Sequence, residues 1–224
     1  MFFWRRQFYQ WKASINKQPI DTLLLNLWRS KFSKRQDWKN IRYLVIDTET
    51  TGLSPKDNTL LSIGWVAIES GKVKLNSARH RYIKVKEGVG QSATIHQIRD
   101  CELQDGVTIN QAMAEVLTAM KDSVLVFHHA PMDMAFLNKY CRQLYNAPLL
   151  MPLVDTLNIE KSRHMHNDQA RKNGFFRLAH CRQRYGLSAH QGHNALTDAI
   201  ATAELLLAQV AHKGSVVKVK DIMP

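Results

Sequence analysis

The chain is poor in cysteine and in acid. Its 224 residues include three cysteines, Cys101, Cys141 and Cys181, far apart and with no Cys-x-x-Cys pair. That gives a disulfide framework and a structural zinc site little support, so a reducing cytoplasm is the default compartment. No run approaches the ~20 consecutive apolar residues of a membrane span. The basic, aromatic start lacks the apolar core of a secretory signal. Neither internal repeats nor low-complexity tracts occur. Acids number 19 against 31 Lys and Arg, a net charge of +12. Such an excess implies a polyanionic partner, either nucleic acid or an acidic membrane surface, and composition does not choose between them. An apolar fraction of 45% marks a folded chain, and the length suits one α/β domain with material to spare.

The excess charge is uneven. Residues 1–40 carry nine Lys/Arg against two Asp, a net of +7, and four of the five tryptophans. In this basic, aromatic-rich extension Trp4, Phe8, Trp11 and Ile15 recur at helical spacing, as do Ile20, Leu23, Leu24, Leu27, Trp28 and Phe32. The pattern predicts two short amphipathic helices broken near Pro19. Their apolar stripes either pack on the body of the protein, the commoner fate of such faces, or belong to an appendage that grips a nucleic acid, a partner or a membrane surface.

From Arg42 the pattern changes. A buried strand is expected over Arg42–Asp47, then antiparallel strands over 60–69 and 73–85 around a Ser70-Gly71 turn. A helix over 108–121, a strand over 124–127 and a helix from Pro131 to about Tyr145 follow. Leu153–Val154 reads as a strand ending at Asp155-Thr156, with helices beyond it, over 174–185 and over 194–212, and a tail over 213–224. Three strands followed by alternating strand and helix predict a mixed sheet with helices on its faces, in a domain spanning 41–212.

Two carboxylates, Asp47 and Glu49, close the first strand at i and i+2, on the same side of it. Side by side on a central strand they repel each other and resist desolvation unless a cation holds them. Hard divalent ions such as Mg²⁺ favour such oxygen ligands. Asp133 opens a stripe that continues through Phe136, Leu137, Tyr140, Cys141 and Leu144, a face where a merely solvated acid is out of place. By itself it reads either as a site residue or as an N-terminal acid favoured by the helix dipole. His193 and Asp198 stand at the start of the last long helix, with His193 following Gly192 in a loop. His164, His166 and His180 belong to no comparable constellation of carboxylates in the sequence.

Taken together and in this order, Asp47-x-Glu49, Asp133 and His193-x4-Asp198 resemble the motifs of the DEDDh family of 3′–5′ exonucleases. The resemblance covers roughly residues 41–212. It includes Asp47-Thr48-Glu49-Thr50-Thr51-Gly52, His128-x-Ala130-x-x-Asp133-x-x-Phe136-Leu137, Asp155-Thr156-Leu157 and His193-x-Ala195-x-x-Asp198-Ala199, with Ile95-His96 a weaker match. Two positions depart from the family pattern. His129 stands where Asn is usual, and Met132 where Phe is usual, which bears on the pocket for the terminal base.

The resemblance implies a ribonuclease H-like mixed five-stranded sheet and hydrolysis of phosphodiesters at nucleic-acid 3′ ends, releasing nucleoside 5′-monophosphates. It implies two Mg²⁺ ions, with Mn²⁺ as a substitute. Asp47, Glu49 and Asp198 would hold one ion, Asp47 would be shared with the second, and Asp133 would act through water. His193 would take the proton of the nucleophile, a role that suits an imidazole. Thr48, Thr50 and Leu53 lie where the family grips the terminal nucleotide. DNA is slightly preferred here as substrate, an exoribonuclease is the alternative, and the motifs leave the sugar open. A non-catalytic nucleic-acid or polymerase-binding module of the same fold is the rival from another class, disfavoured because converging acids are a liability without a metal. The length leaves no room for a polymerase, so the chain is expected to be free-standing or recruited by a replication or repair partner.

Overall fold

The computed structural model describes residues 2–15, 20–29, 32–85, 103–171, 174–190 and 192–223. Five strands form one sheet in the order β3-β2-β1-β4-β5. They are β1 (Arg42–Thr50), β2 (Leu60–Glu69), β3 (Lys72–Tyr82), β4 (Ser123–Phe127) and β5 (Leu153–Asp155). β1, β2 and β3 run antiparallel in sequence, while β1, β4 and β5 are parallel. The helices are α1 (Phe2–Ile15), α2 (Thr22–Arg29), α3 (Ile109–Ala119), α4 (Ala130–Tyr145), α5 (Thr156–Arg163), α6 (Leu178–Arg184), α7 (Ala195–Lys213) and α8 (Val219–Ile222). This is the mixed, helix-flanked sheet expected from the sequence.

The strand period divides β1 between two cores. Leu44 and Ile46 face one, with Leu24 and Leu27 of α2, Met113 and Val116 of α3, and Phe136 and Leu137 of α4. Tyr43 and Val45 face the other, with Leu206 and Val210 of α7 and Ile222 of α8. Because both faces are covered, the apolar run Tyr43–Ile46 is buried throughout, as a central parallel-paired strand requires. Beyond Ile46 the same alternation sends Asp47 and Glu49 to the α7 side and Thr48 to the α4 side. β3, outermost beside β2, carries Lys72, Lys74, Arg79 and Arg81 and no acid.

The two N-terminal stripes meet different fates. Leu24, Leu27 and Trp28 of α2 are core residues. Phe8 and Trp11 of α1 face outward, 51% and 61% exposed, and it is Tyr9 and Ala13 that pack inward. The side chains of Trp4 and Ile15, and Pro19, lie outside the described residues. The segment after α7, expected as a tail, is instead packed. Val217, Val219 and Ile222 are buried, and Val219 N–H donates to the Gln36 carbonyl while Trp38 N–H donates to that of Val217. A four-residue helix is too short to display a period, which is why periodicity does not reveal it.

Candidate active site

Three strands deliver their C-terminal ends to one edge of the sheet. Val45 is level with Val126 and Val126 with Val154, so Asp47, the start of α4 and the start of α5 share that edge. Asp155, nearly fully buried, organises it. Its carboxylate accepts from the backbone N–H groups of His129 and Ala130 at 3.0 Å and from that of Leu157 at 3.0 Å. One side chain thus starts two helices, since the first N–H groups of a helix have no partner within it. His129 enters α4 with φ +82°, a left-handed conformation that Asn adopts more readily. The departure from the family pattern at this position therefore falls on a strained backbone.

Helix α4 presents Asp133 on its buried face, where the carboxylate accepts from Thr48 Oγ1 at 2.7 Å. From the other layer, α7 brings Asp198. Its approach depends on Gly64, which pairs with Asp47 across β2. A Cβ at Gly64 would lie 2.2 Å from the backbone of Ala195 and Leu196. The bare glycine lets the first turn of α7 rest directly on the sheet. As a result, carboxylate oxygens of Asp47, Glu49 and Asp198 lie within 4.8 Å of one another.

The electrostatics are unfavourable without a cation. Burial, then the charges of Asp133, Asp198 and Glu49, raise the Asp47 carboxyl well above the ordinary range. Asp133 is pushed up to about 7 by burial, against the opposing pull of the Thr48 hydroxyl. Among the described residues no Lys or Arg forms an ion pair with either. A set of oxygen donors this crowded, with protons standing in for missing charge, suits hard divalent cations.

These shifts fix a pH dependence. The folded carboxyl of Asp133 titrates above its unfolded value near 3.8, so between about pH 4 and pH 7 the folded chain holds more protons than the unfolded one. Metal-free stability therefore falls as pH rises through that window. The decline is on the order of a few kcal/mol. Asp133→Asn should flatten the decline, which urea titrations at pH 5 and pH 8 in EDTA would measure.

The remaining candidates divide. Thr50 is buried and donates to the Gly52 carbonyl at 2.8 Å, bracing the turn. Leu53 is 80% exposed on the 51–59 loop, which is tied to α4 by Lys139 Nζ donating to the Asn58 carbonyl and by a Thr59–Tyr140 hydroxyl contact. His193 is exposed at φ +68°, and its backbone N–H donates to Asp198 Oδ2 at 2.9 Å. The imidazole seated on the other oxygen of that carboxylate belongs to His190, with Nε2 2.8 Å from Asp198 Oδ1. Sequence reasoning passed over His190, because a loop residue three places before the motif carries no periodic signal. Arg182 holds this loop against α7, donating to the Ser188 and Ala201 carbonyls. Ile95 and His96 lie outside the described residues.

A mixed sheet with acids converging from β1, α4 and α7 defines an α/β nuclease-type fold. The sequence profile of the exonuclease family (RNase_T) matches residues 44–206, and the chain belongs to that family, with the motif set of its DEDDh branch. Its curated relatives include the PolC-type DNA polymerase III of Thermotoga maritima, 30% identical over 166 residues. That alignment takes in 74% of this chain and 12% of the relative. The corresponding protein of Thermotoga petrophila is 28% identical over 188 residues, 83% of this chain and 13% of the relative. The chain thus spans about an eighth of these proteins. Among solved structures, the nuclease domain of 3′hExo, a DEDDh family member bound to rAMP, superposes with a TM-score of 0.64 at 13% identity. It covers 82% of this chain and 98% of that one. E. coli exonuclease I in complex with a dT13 oligonucleotide gives 0.63 at 15% identity, over 75% and 40% of the two chains. No described helix is long and apolar enough to cross a membrane.

Proposed function

We propose that the chain is a metal-dependent 3′–5′ exonuclease that removes nucleoside 5′-monophosphates from nucleic-acid 3′ ends, with residues 41–212 as its catalytic unit. The convergence of Asp47, Glu49 and Asp198 within 4.8 Å carries the reading, with Asp133 held beside them through Thr48. Asp47, Glu49 and Asp198 would hold a divalent ion, Mg²⁺ or Mn²⁺, with Asp47 shared with a second ion and Asp133 acting through water. Bound there, the pair of ions would supply charge stabilisation to the attacking and leaving oxygens of an in-line displacement.

The chain's own residues do the rest. His193 takes a proton from the attacking water as the phosphorus–O3′ bond breaks, and the departing 3′ oxygen takes up a proton from solvent. Thr48 fixes the Asp133 carboxylate. Leu53, on a loop pinned to α4, offers an apolar surface to the terminal base, and the turn braced by Thr50 presents its backbone to the same nucleotide. DNA is the favoured substrate, supported by relatives that are DNA polymerases. RNA is the second reading, favoured by the rAMP bound to the 3′hExo domain. The relatives also support recruitment to a polymerase in the cytoplasm. Labelled single- and double-stranded DNA and RNA, incubated with the protein in Mg²⁺ or Mn²⁺, test both substrate and metal. No cleavage of any of them would end the proposal.

The two histidines allow a sharper test. His193→Ala should lower turnover by roughly 10²–10⁴-fold and leave metal affinity by calorimetry nearly unchanged. His190→Ala removes a contact with Asp198 and should act mainly on metal affinity. A larger turnover loss in His190→Ala than in His193→Ala would transfer the base role to His190.

A further inference from the structure

We propose that the outward face of α1 is a second contact for the substrate strand, a stacking platform for single-stranded nucleic acid upstream of the 3′ end. The inference rests on the exonuclease reading above. Residues 1–20 contain four Lys/Arg and no acid. On α1, Phe8 and Trp11 are 51% and 61% exposed, with ring centroids 6.1 Å apart and planes tilted by 40°. Arg5 and Lys12 are exposed as well, as are Gln7 and Gln10.

The platform has a firm base. Phe8 meets Tyr9 edge-on at 5.4 Å, and Tyr9 packs against the main core. Arg6 donates from Nη2 to the Leu150 carbonyl at 2.9 Å and from Nη1 to that of Trp28, riveting α1 to α2 and to the segment before β5. Two large aromatic rings are thus held in water on a helix with cations and no countercharge.

Position relates this face to the active site. Arg5 lines a cleft of about 320 Å³ together with Pro131 and Asp155. Asp155 ends β5 on the same sheet edge as Asp47, and β5 lies two strand spacings from β1, about 10 Å. A strand whose 3′ nucleotide occupies the carboxylate site has a short path to Arg5 and then to Phe8 and Trp11. Aromatic rings set among cations are the chemistry that holds single strands without regard to sequence, because every base has a face to stack. Phe, Trp, Lys and Arg would also suit a membrane surface; the cleft that joins Arg5 of α1 to Asp155 on the carboxylate edge favours the strand.

The test uses the full chain with dT4, dT20 and rU20 oligonucleotides labelled at the 5′ end, bound in EDTA so that no turnover occurs. Phe8→Ala/Trp11→Ala should weaken dT20 and rU20 binding about tenfold and leave dT4 unchanged. Arg5→Ala/Lys12→Ala should weaken the same ligands and lower the log–log salt slope by about 1.4, at ~0.7 per phosphate. Both variants should retain the wild-type melting temperature and the wild-type kcat on dT4. Equal dT20 and rU20 affinities in wild type and both variants would overturn the platform. So would capture of the wild type, but not the aromatic variant, by phosphatidylserine vesicles with oligonucleotide affinity unmoved. Length-dependent binding without cleavage in Mg²⁺ would retain the platform and refute the exonuclease reading. Cleavage with length-independent binding would do the reverse.

Discussion

Asp47→Ala should abolish nuclease turnover and should make the metal-free protein more stable. The two effects share one cause. Asp47 lies among Glu49, Asp133 and Asp198 and is partly buried, so its carboxyl is driven toward the neutral form. Removing it relieves repulsion and desolvation in the empty site. In the same step it deletes the one side chain assigned to both metal positions, for which no neighbour can substitute. Asp47→Asn keeps the shape and should behave alike. Thermal unfolding in EDTA should show a rise of about 2–4 °C per kcal/mol gained. Added Mg²⁺ should stabilise the wild type more than the variants, because ligand binding adds to the folded state alone. Retained turnover, or an Mg²⁺ shift of equal size in all three proteins, would remove Asp47 from the metal site.

Gly64→Ala should lower both stability and turnover although it changes no charged or catalytic group. The added methyl would sit 2.2 Å from the Ala195–Leu196 peptide, which is backbone and cannot swing aside. Either β2 or the first turn of α7 must retreat, and Asp198 is three residues into that helix. The overpacking should cost about 3 kcal/mol. An ångström of misplacement in the acid cluster should cost about 10²-fold in turnover. Urea unfolding and kcat measured on the same preparation give both numbers. The companion Gly186→Ala is a control for glycine replacement in itself. Gly186 lies at φ +68° with open space at its Cβ position, so only backbone strain is expected there. A stable, fully active Gly64→Ala protein would mean that α7 does not rest on β2 as described.

Much of this was readable before any coordinates. The run Tyr43–Ile46 identified a central strand, and the acids that follow it broke the rule for buried positions twice over. Asp133 was conspicuous because the five apolar residues after it on α4 fix which way that face points. What the sequence withheld were matters of approach between distant segments. Nothing about Gly64 announces that a helix from 130 residues later will touch it. Nor does the order of His190 and His193 reveal which imidazole leans on Asp198, since loops follow no period. The two N-terminal stripes are alike as patterns, yet α2 packs its stripe against α3 and the main core while α1 turns its rings outward. Periodicity reports that a helix has an apolar face, and only packing decides whether something covers it.

The charges along β3 bear on how the molecule behaves in concentrated solution. A strand at the border of a sheet offers unpaired backbone groups to any other extended chain, and exposed apolar residues such as Leu75 strengthen the invitation. Arg81 is paired with Glu115, but Lys72, Lys74 and Arg79 set two copies of that border against each other with like charge on both sides. The border is thereby closed to its own kind, and screening by salt should open it. Self-association of this protein should rise with ionic strength, the opposite of its expected grip on a polynucleotide, so the buffer that releases substrate also brings chains together.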